Sequence, residues 1–134
     1  MLGLGGNVAR ENKPFVAHVD AEGQSLDGAR GTYTWRCATR PPGSDIWSLT
    51  LYERSTGQVY GNPLERYKIG PDVPGCSAAD DGTWTVAISH ARPTDTTNWL
   101  PAPAAPFVLA IRTWQPSDDV LDGRWTPEPI HLIQ

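Results

Sequence analysis

Apolar residues in this chain recur at every second position, in short runs bracketed by glycine and proline, and no segment holds a helical period. A period of two sends alternate side chains to opposite faces of a sheet. Thr32–Cys37 places Tyr33, Trp35 and Cys37 on one face. The longest run, Ile46–Arg54, sets Trp47, Leu49 and Leu51 against Ser48, Thr50 and Tyr52. Trp84, Val86 and Ile88 alternate with Thr85, Ala87 and Ser89, and Phe107, Leu109 and Ile111 with Val108, Ala110 and Arg112. The 13 glycines and 13 prolines punctuate these runs, so the chain has many short strands and no long helix.

The connectors carry turn chemistry. Arg40–Ser44 (RPPGS) joins the first two strands, and Ser55–Gln58 (STGQ) predicts a tight hairpin turn into Val59 and Tyr60. Asp80-Asp81-Gly82 and Asp122-Gly123 each introduce a further strand. Between Asn98 and Pro106, three prolines fall within six residues, which predicts an extended crossing loop with few ladder hydrogen bonds. The pattern as a whole predicts an all-β fold: an antiparallel β-sandwich or jelly-roll-like barrel with long Pro-rich loops.

A chain of 134 residues is expected to form one domain with a core that needs neither disulfide nor metal. Leu2–Lys13 has a weak pattern that fits an arm, a short helix or the remnant of a longer chain, and the expected division is an N-terminal arm over residues 1–15, with flexibility left open, and a single β domain over residues 16–134. The net charge is −4 and the 11 Lys and Arg are scattered, an arrangement that argues against nucleic acid as a partner. No apolar stretch approaches the ~20 residues that span a bilayer, so no membrane span is expected. The first residues are too briefly apolar for a secretion signal. The expected location is therefore cytoplasmic if the chain is complete, and periplasmic or secreted if a leader was removed. Cys37 ends a strand run and Cys76 sits in the loop PDVPGCSAADDG. Their spacing fits no zinc or redox motif, and whether they form a disulfide is left open.

The candidate ligand-binding residues are Asn62, Arg66, Tyr67, Asn98, Trp99 and Arg112. Asn62 and Arg66 share one irregular segment, Asn98 and Trp99 open the proline-rich crossing, and loops on a β scaffold commonly carry binding groups. A guanidinium fork suits carboxylate or phosphate, and Asn both donates and accepts, so these groups could receive a sugar or a small anion. The plainer reading is structural: Asn62 fixing its own turn, and Arg66 and Arg112 pairing with Glu53, Glu65 or Asp81. Arg112 follows Val108 and Ala110 on one strand face, where a charge needs a partner. Trp35, Trp47 and Trp84 read as core, whereas Trp99, Trp114 and Trp125 lie near loops and are candidates for exposure.

No catalytic motif stands out. His18, His90 and His131 lack metal-ligand spacing, so no metal and no cofactor are expected. Asp20, Glu22 and Asp27 do not match a calcium loop and read as a turn. Ser48 lacks a nucleophile elbow, and Gly3, Gly5 and Gly6 follow no strand and form no phosphate loop. A catalytic triad assembled only in three dimensions stays open.

Six segments in order carry a resemblance. They are VDAEGQSLDG (19–28), DIWSLTLYE (45–53), GNPLERYKIG (61–70), DDGTWTVAI (80–88), NWLPAPAAPFVLAIRTWQP (98–116) and GRWTPEPI (123–130). Together they resemble the domain of unknown function numbered 1214, with Ile46 in a slot that is usually aromatic and Asn62, Pro63, Arg66 and Tyr67 in its Asn-Pro-x-x-Arg-Tyr segment. The resemblance covers about residues 16–131. It implies an all-β, jelly-roll-like domain of bacterial or viral origin with no agreed activity. It also implies a partner, since this domain usually forms the C-terminal half of proteins whose N-terminal half belongs to the family numbered 1254. The favoured function is a non-catalytic β module that binds a small ligand or a protein partner. One alternative is a hydrolase or metal-dependent enzyme with a jelly-roll cleft, which requires two or more of the histidines to meet a carboxylate. Another is a structural subunit that covers a sheet edge with a family-1254-type domain or by self-association.

Overall fold

The computed structural model describes residues 12–37, 47–114 and 128–133. Among them are β1 (Asn12–Ala17), β2 (Tyr33–Cys37), β3 (Trp47–Glu53), β4 (Lys68–Ile69), β5 (Trp84–Ser89), β6 (Trp99–Pro101), β7 (Phe107–Trp114) and β8 (His131–Leu132), with a single 3-10 turn at Gly28–Arg30. They form two sheets, in the orders β1-β7-β3-β4 and β6-β5-β2-β8. All neighbours run antiparallel except β5 and β6, which are parallel. No helix among these residues is long and apolar enough to cross a membrane.

The alternating pattern sets the faces as the sequence predicts. Tyr33, Trp35 and Cys37 are buried on β2, Trp47, Leu49 and Leu51 on β3, Trp84, Val86 and Ile88 on β5, and Phe107, Leu109 and Ile111 on β7. These residues make one shared core between the sheets. Trp47 of the first sheet meets Trp35 and Trp84 of the second edge-on, at centroid distances of 5.7 and 5.0 Å. Tyr33 and Phe107 make a further edge-on contact at 5.6 Å. Val108 and Ala110, on the opposite face of β7, are buried as well, as suits a strand flanked by β1 and β3.

Two elements differ from expectation. β1 begins at Asn12, so it straddles the boundary drawn between arm and domain; its register against β7 (Phe15 with Ile111, Ala17 with Leu109) ties it into the first sheet. The proline-rich crossing does contain a strand. Within it β6 pairs with β5 through Ala87–Trp99, Ile88–Leu100 and Ser89–Pro101, and the Ala102 N–H donates to Ser89 O. Pro101 lacks an N–H, which an edge strand tolerates.

The predicted turns are present where they can be described. Gly57 has φ of 72° in the turn after β3, which brings Val59 opposite Tyr52. Asp81 accepts from the Thr83 N–H to start β5. Asp20 accepts from the N–H groups of Glu22 and Gln24, which makes the acidic 20–27 segment a turn. The connectors 40–44 and 122–123, and Trp125, lie outside the described residues.

Candidate functional site

Asn62 organises the loop before β4. Its Nδ2 donates to the carbonyls of Tyr60 (3.0 Å) and Arg66 (2.8 Å), and its Oδ1 accepts from the Arg66 N–H (3.1 Å). The Glu65 N–H closes the same turn on the Asn62 carbonyl, and Glu65 is held at φ 51°, in the left-handed region. Arg66 then reaches across the seam between the sheets, where its Nη1 donates to the carbonyls of Thr96 (2.6 Å), Trp99 (3.2 Å) and Thr97 (3.3 Å). It ties loops together through backbone carbonyls, where the plainer reading of the sequence looked for a carboxylate.

Asn98, in the loop that Arg66 grips, donates to Ser77 O (2.7 Å) and accepts from the Ser77 N–H (3.1 Å). Trp99 is 5% exposed, and its Nε1 donates to the Ser89 hydroxyl at 3.0 Å. Asn62, Arg66 and Tyr67 are thus brought together, and Asn98 and Trp99 join them through the 96–99 loop. Arg112 stands apart on β7, opposite Pro14 and Ser48, with its Nη2 3.4 Å from the Tyr52 hydroxyl.

Beside β4 the surface opens into a cleft of about 570 Å³. Val59, Leu64 and Tyr67 give it apolar walls, and all three keep a large exposed fraction, at 42%, 36% and 36%. Glu65, Arg66, Lys68 and Asp72 add charge, with Lys68 Nζ 3.8 Å from Asp72 Oδ2. Cys76 lies close behind Arg66. Burial pushes its thiol pKa up, against the opposing pull of the guanidinium and of a Gly70 backbone hydrogen bond. No disulfide joins Cys37 to Cys76.

Other hollows lie among the described residues. One of about 480 Å³ lies over the second sheet, with Thr34, Thr85 and Ala87 in its lining and Asn98 and Ile133 beside them. One of about 240 Å³ lies along β1 near Pro129 and Ile130. His90 Nδ1 lies 3.0 Å from the Ala102 carbonyl and His131 pairs with Thr34 in the second sheet. Among the described residues no group of three or more His, Cys, Asp or Glu is arranged to hold a metal. Val59, Leu64 and Lys68 were not among the residues singled out from sequence. The available signal was the presence of Val59 and Leu64 outside the alternating runs, in turn-rich chain where burial is poor.

A two-sheet β module with a groove at the edge strand of one sheet is the class this geometry defines. The chain belongs to the DUF1214 family, described as protein of unknown function, which it matches over residues 11–118. A solved structure, the VPA0106 protein from Vibrio parahaemolyticus, superposes with a TM-score of 0.88 at 28% sequence identity. The superposition covers 99% of this chain and 33% of that one, so the chain spans about a third of that relative's length. Comparison with curated proteins returns no match.

Proposed function

We propose that this domain is a non-catalytic binding module and that the cleft beside β4 receives a small organic ligand. The observation that carries this reading is the clustering of Val59, Leu64 and Tyr67, three exposed apolar side chains, in one cleft bounded by charged groups. Isolated apolar side chains on a surface need no explanation, but a concave cluster of them does. A volume of about 570 Å³ falls in the range of small-molecule sites, roughly 300–1,000 Å³. Of the ligand types drawn from the sequence, a sugar would need more hydrogen-bonding groups than these walls offer. A ligand with an apolar body fits them better.

The test is a fragment screen followed by two-dimensional NMR on the isotope-labelled domain. A binding fragment is expected to shift the amides of residues 59, 64–68 and 72–74, and Leu64→Ser is expected to abolish those shifts while the rest of the spectrum is kept. Fragments that bind elsewhere, or binding untouched by Leu64→Ser, would overturn the reading.

A further inference from the structure

Resting on that reading of the cleft, we infer that its ligand carries a positive charge, an ammonium group attached to an apolar body. The two cations in the lining are engaged. Arg66 directs its Nη1 at three carbonyl oxygens of the 96–99 loop, so its charge is set against the negative ends of three peptide dipoles. Lys68 faces Asp72 at 3.8 Å, and that pair is electrically neutral. Glu65 is different. Its carboxylate makes no hydrogen bond or ion pair with the described residues, and it lies on the rim beside Leu64 and Tyr67.

The backbone at Glu65 strengthens the case. A φ of 51° is the region where an L side chain is disfavoured and where glycine or asparagine would sit with less strain. A glutamate held there gives up stability, and backbone strain of this kind gathers at sites of function. The residue held in this conformation, which lines the cleft, is an acid. The aromatic ring of Tyr67 in the same lining adds a face that attracts cations. An ammonium would therefore meet Glu65 and Tyr67 together, while its apolar chain lies against Val59 and Leu64. A carboxylate in the same position would meet Glu65 with like charge.

The experiment compares n-hexylammonium, n-hexanoate and hexan-1-ol, which share one apolar body, by calorimetric titration of the parent, Glu65→Gln and Glu65→Gly proteins. The ammonium is expected to bind about fivefold more tightly than the alcohol, from one exposed ion pair and one cation–π contact, with hexanoate the weakest. Glu65→Gln should erase most of that preference. Glu65→Gly should erase it too, yet melt about 3 °C higher than the parent because the strain is released. That pairing of lost preference with raised melting temperature is not what a purely structural glutamate would show. If hexanoate or the alcohol binds as tightly as the ammonium, or if Glu65→Gly keeps the preference, the charge assignment is overturned and the cleft as a site stands. If none of the three binds, both the assignment and the site fall.

Discussion

At Arg66 one guanidinium nitrogen with two N–H groups reaches three carbonyls, so at least one N–H is shared between two of them, and the planar group holds its donors in fixed directions that a flexible lysine stem does not. Arg66→Ala is expected to cost about 2 kcal/mol, since several charge-assisted bonds are lost at a half-buried position, and Arg66→Lys should recover less than half of that. Urea unfolding of the three proteins would show it as ordered midpoints with a common slope, and equal midpoints for the parent and the Arg66→Lys variant would contradict it. Gly28 is constrained differently. A Cβ there would drive into the Pro103 carbonyl, because the Gly28 N–H donates to Ala105 O and the two segments run in close contact. Gly28→Ala should destabilise by about 1–3 kcal/mol, as overpacking does, and thermal melts would read it directly. From sequence, Asn62 and Arg66 stood out as polar residues in irregular chain, but their partners did not. Expectation looked for the carboxylates of Glu53, Glu65 or Asp81, whereas the acceptors are backbone carbonyls. Every residue has a carbonyl, so no residue type marks the ones that arginine will choose.

The strands β2, β3, β5 and β7 were legible because each buries alternate side chains on a shared core, and a two-residue period records that directly. β6 was not, because Pro101 and Pro103 obscure a short edge strand whose pairing needs few N–H donors. β1 was missed for a related reason: Pro14 interrupts it, and its place comes from its register against β7. The turns feeding the second sheet make a prediction about pH. Asp81 and Asp95 accept from the N–H groups of Thr83 and Thr97, and those hydrogen bonds hold both carboxyl pKa values below the usual range. The folded state therefore favours the charged form. The stability these turns contribute is fully present above the unfolded carboxylate value of ~3.9 and is lost as pH falls through the lowered folded values. Both groups are fully exposed, so the effect is expected to be small. Melting temperatures of the parent should drop more steeply below about pH 4 than those of an Asp81→Ala, Asp95→Ala double variant; parallel curves would show that the two turns do not contribute.

Across the whole molecule the two sheets depend on one core, and the edge-on contacts of Trp47 with Trp35 and Trp84 span the space between them. Trp35 also donates from Nε1 to the Glu128 carbonyl, which holds the segment before β8 over the open side of the sandwich. Arg66 closes the opposite side, near β4 and β6. Both sheets send their alternate side chains into that one core, so neither is expected to outlast the other. Far-ultraviolet circular dichroism, which follows the strands, and tryptophan fluorescence, which follows the core, should therefore trace one coincident transition in urea. Trp47→Ala tests the same dependence from inside. Truncating a buried tryptophan costs about 3–5 kcal/mol, a large share of the ~5–15 kcal/mol that holds a domain of this kind together. If the sheets share their stability, the variant's transition moves to much lower urea in both signals together. A split, with strand signal persisting after the fluorescence change, would mean that one sheet stands without the other and that the sandwich is two cooperative units.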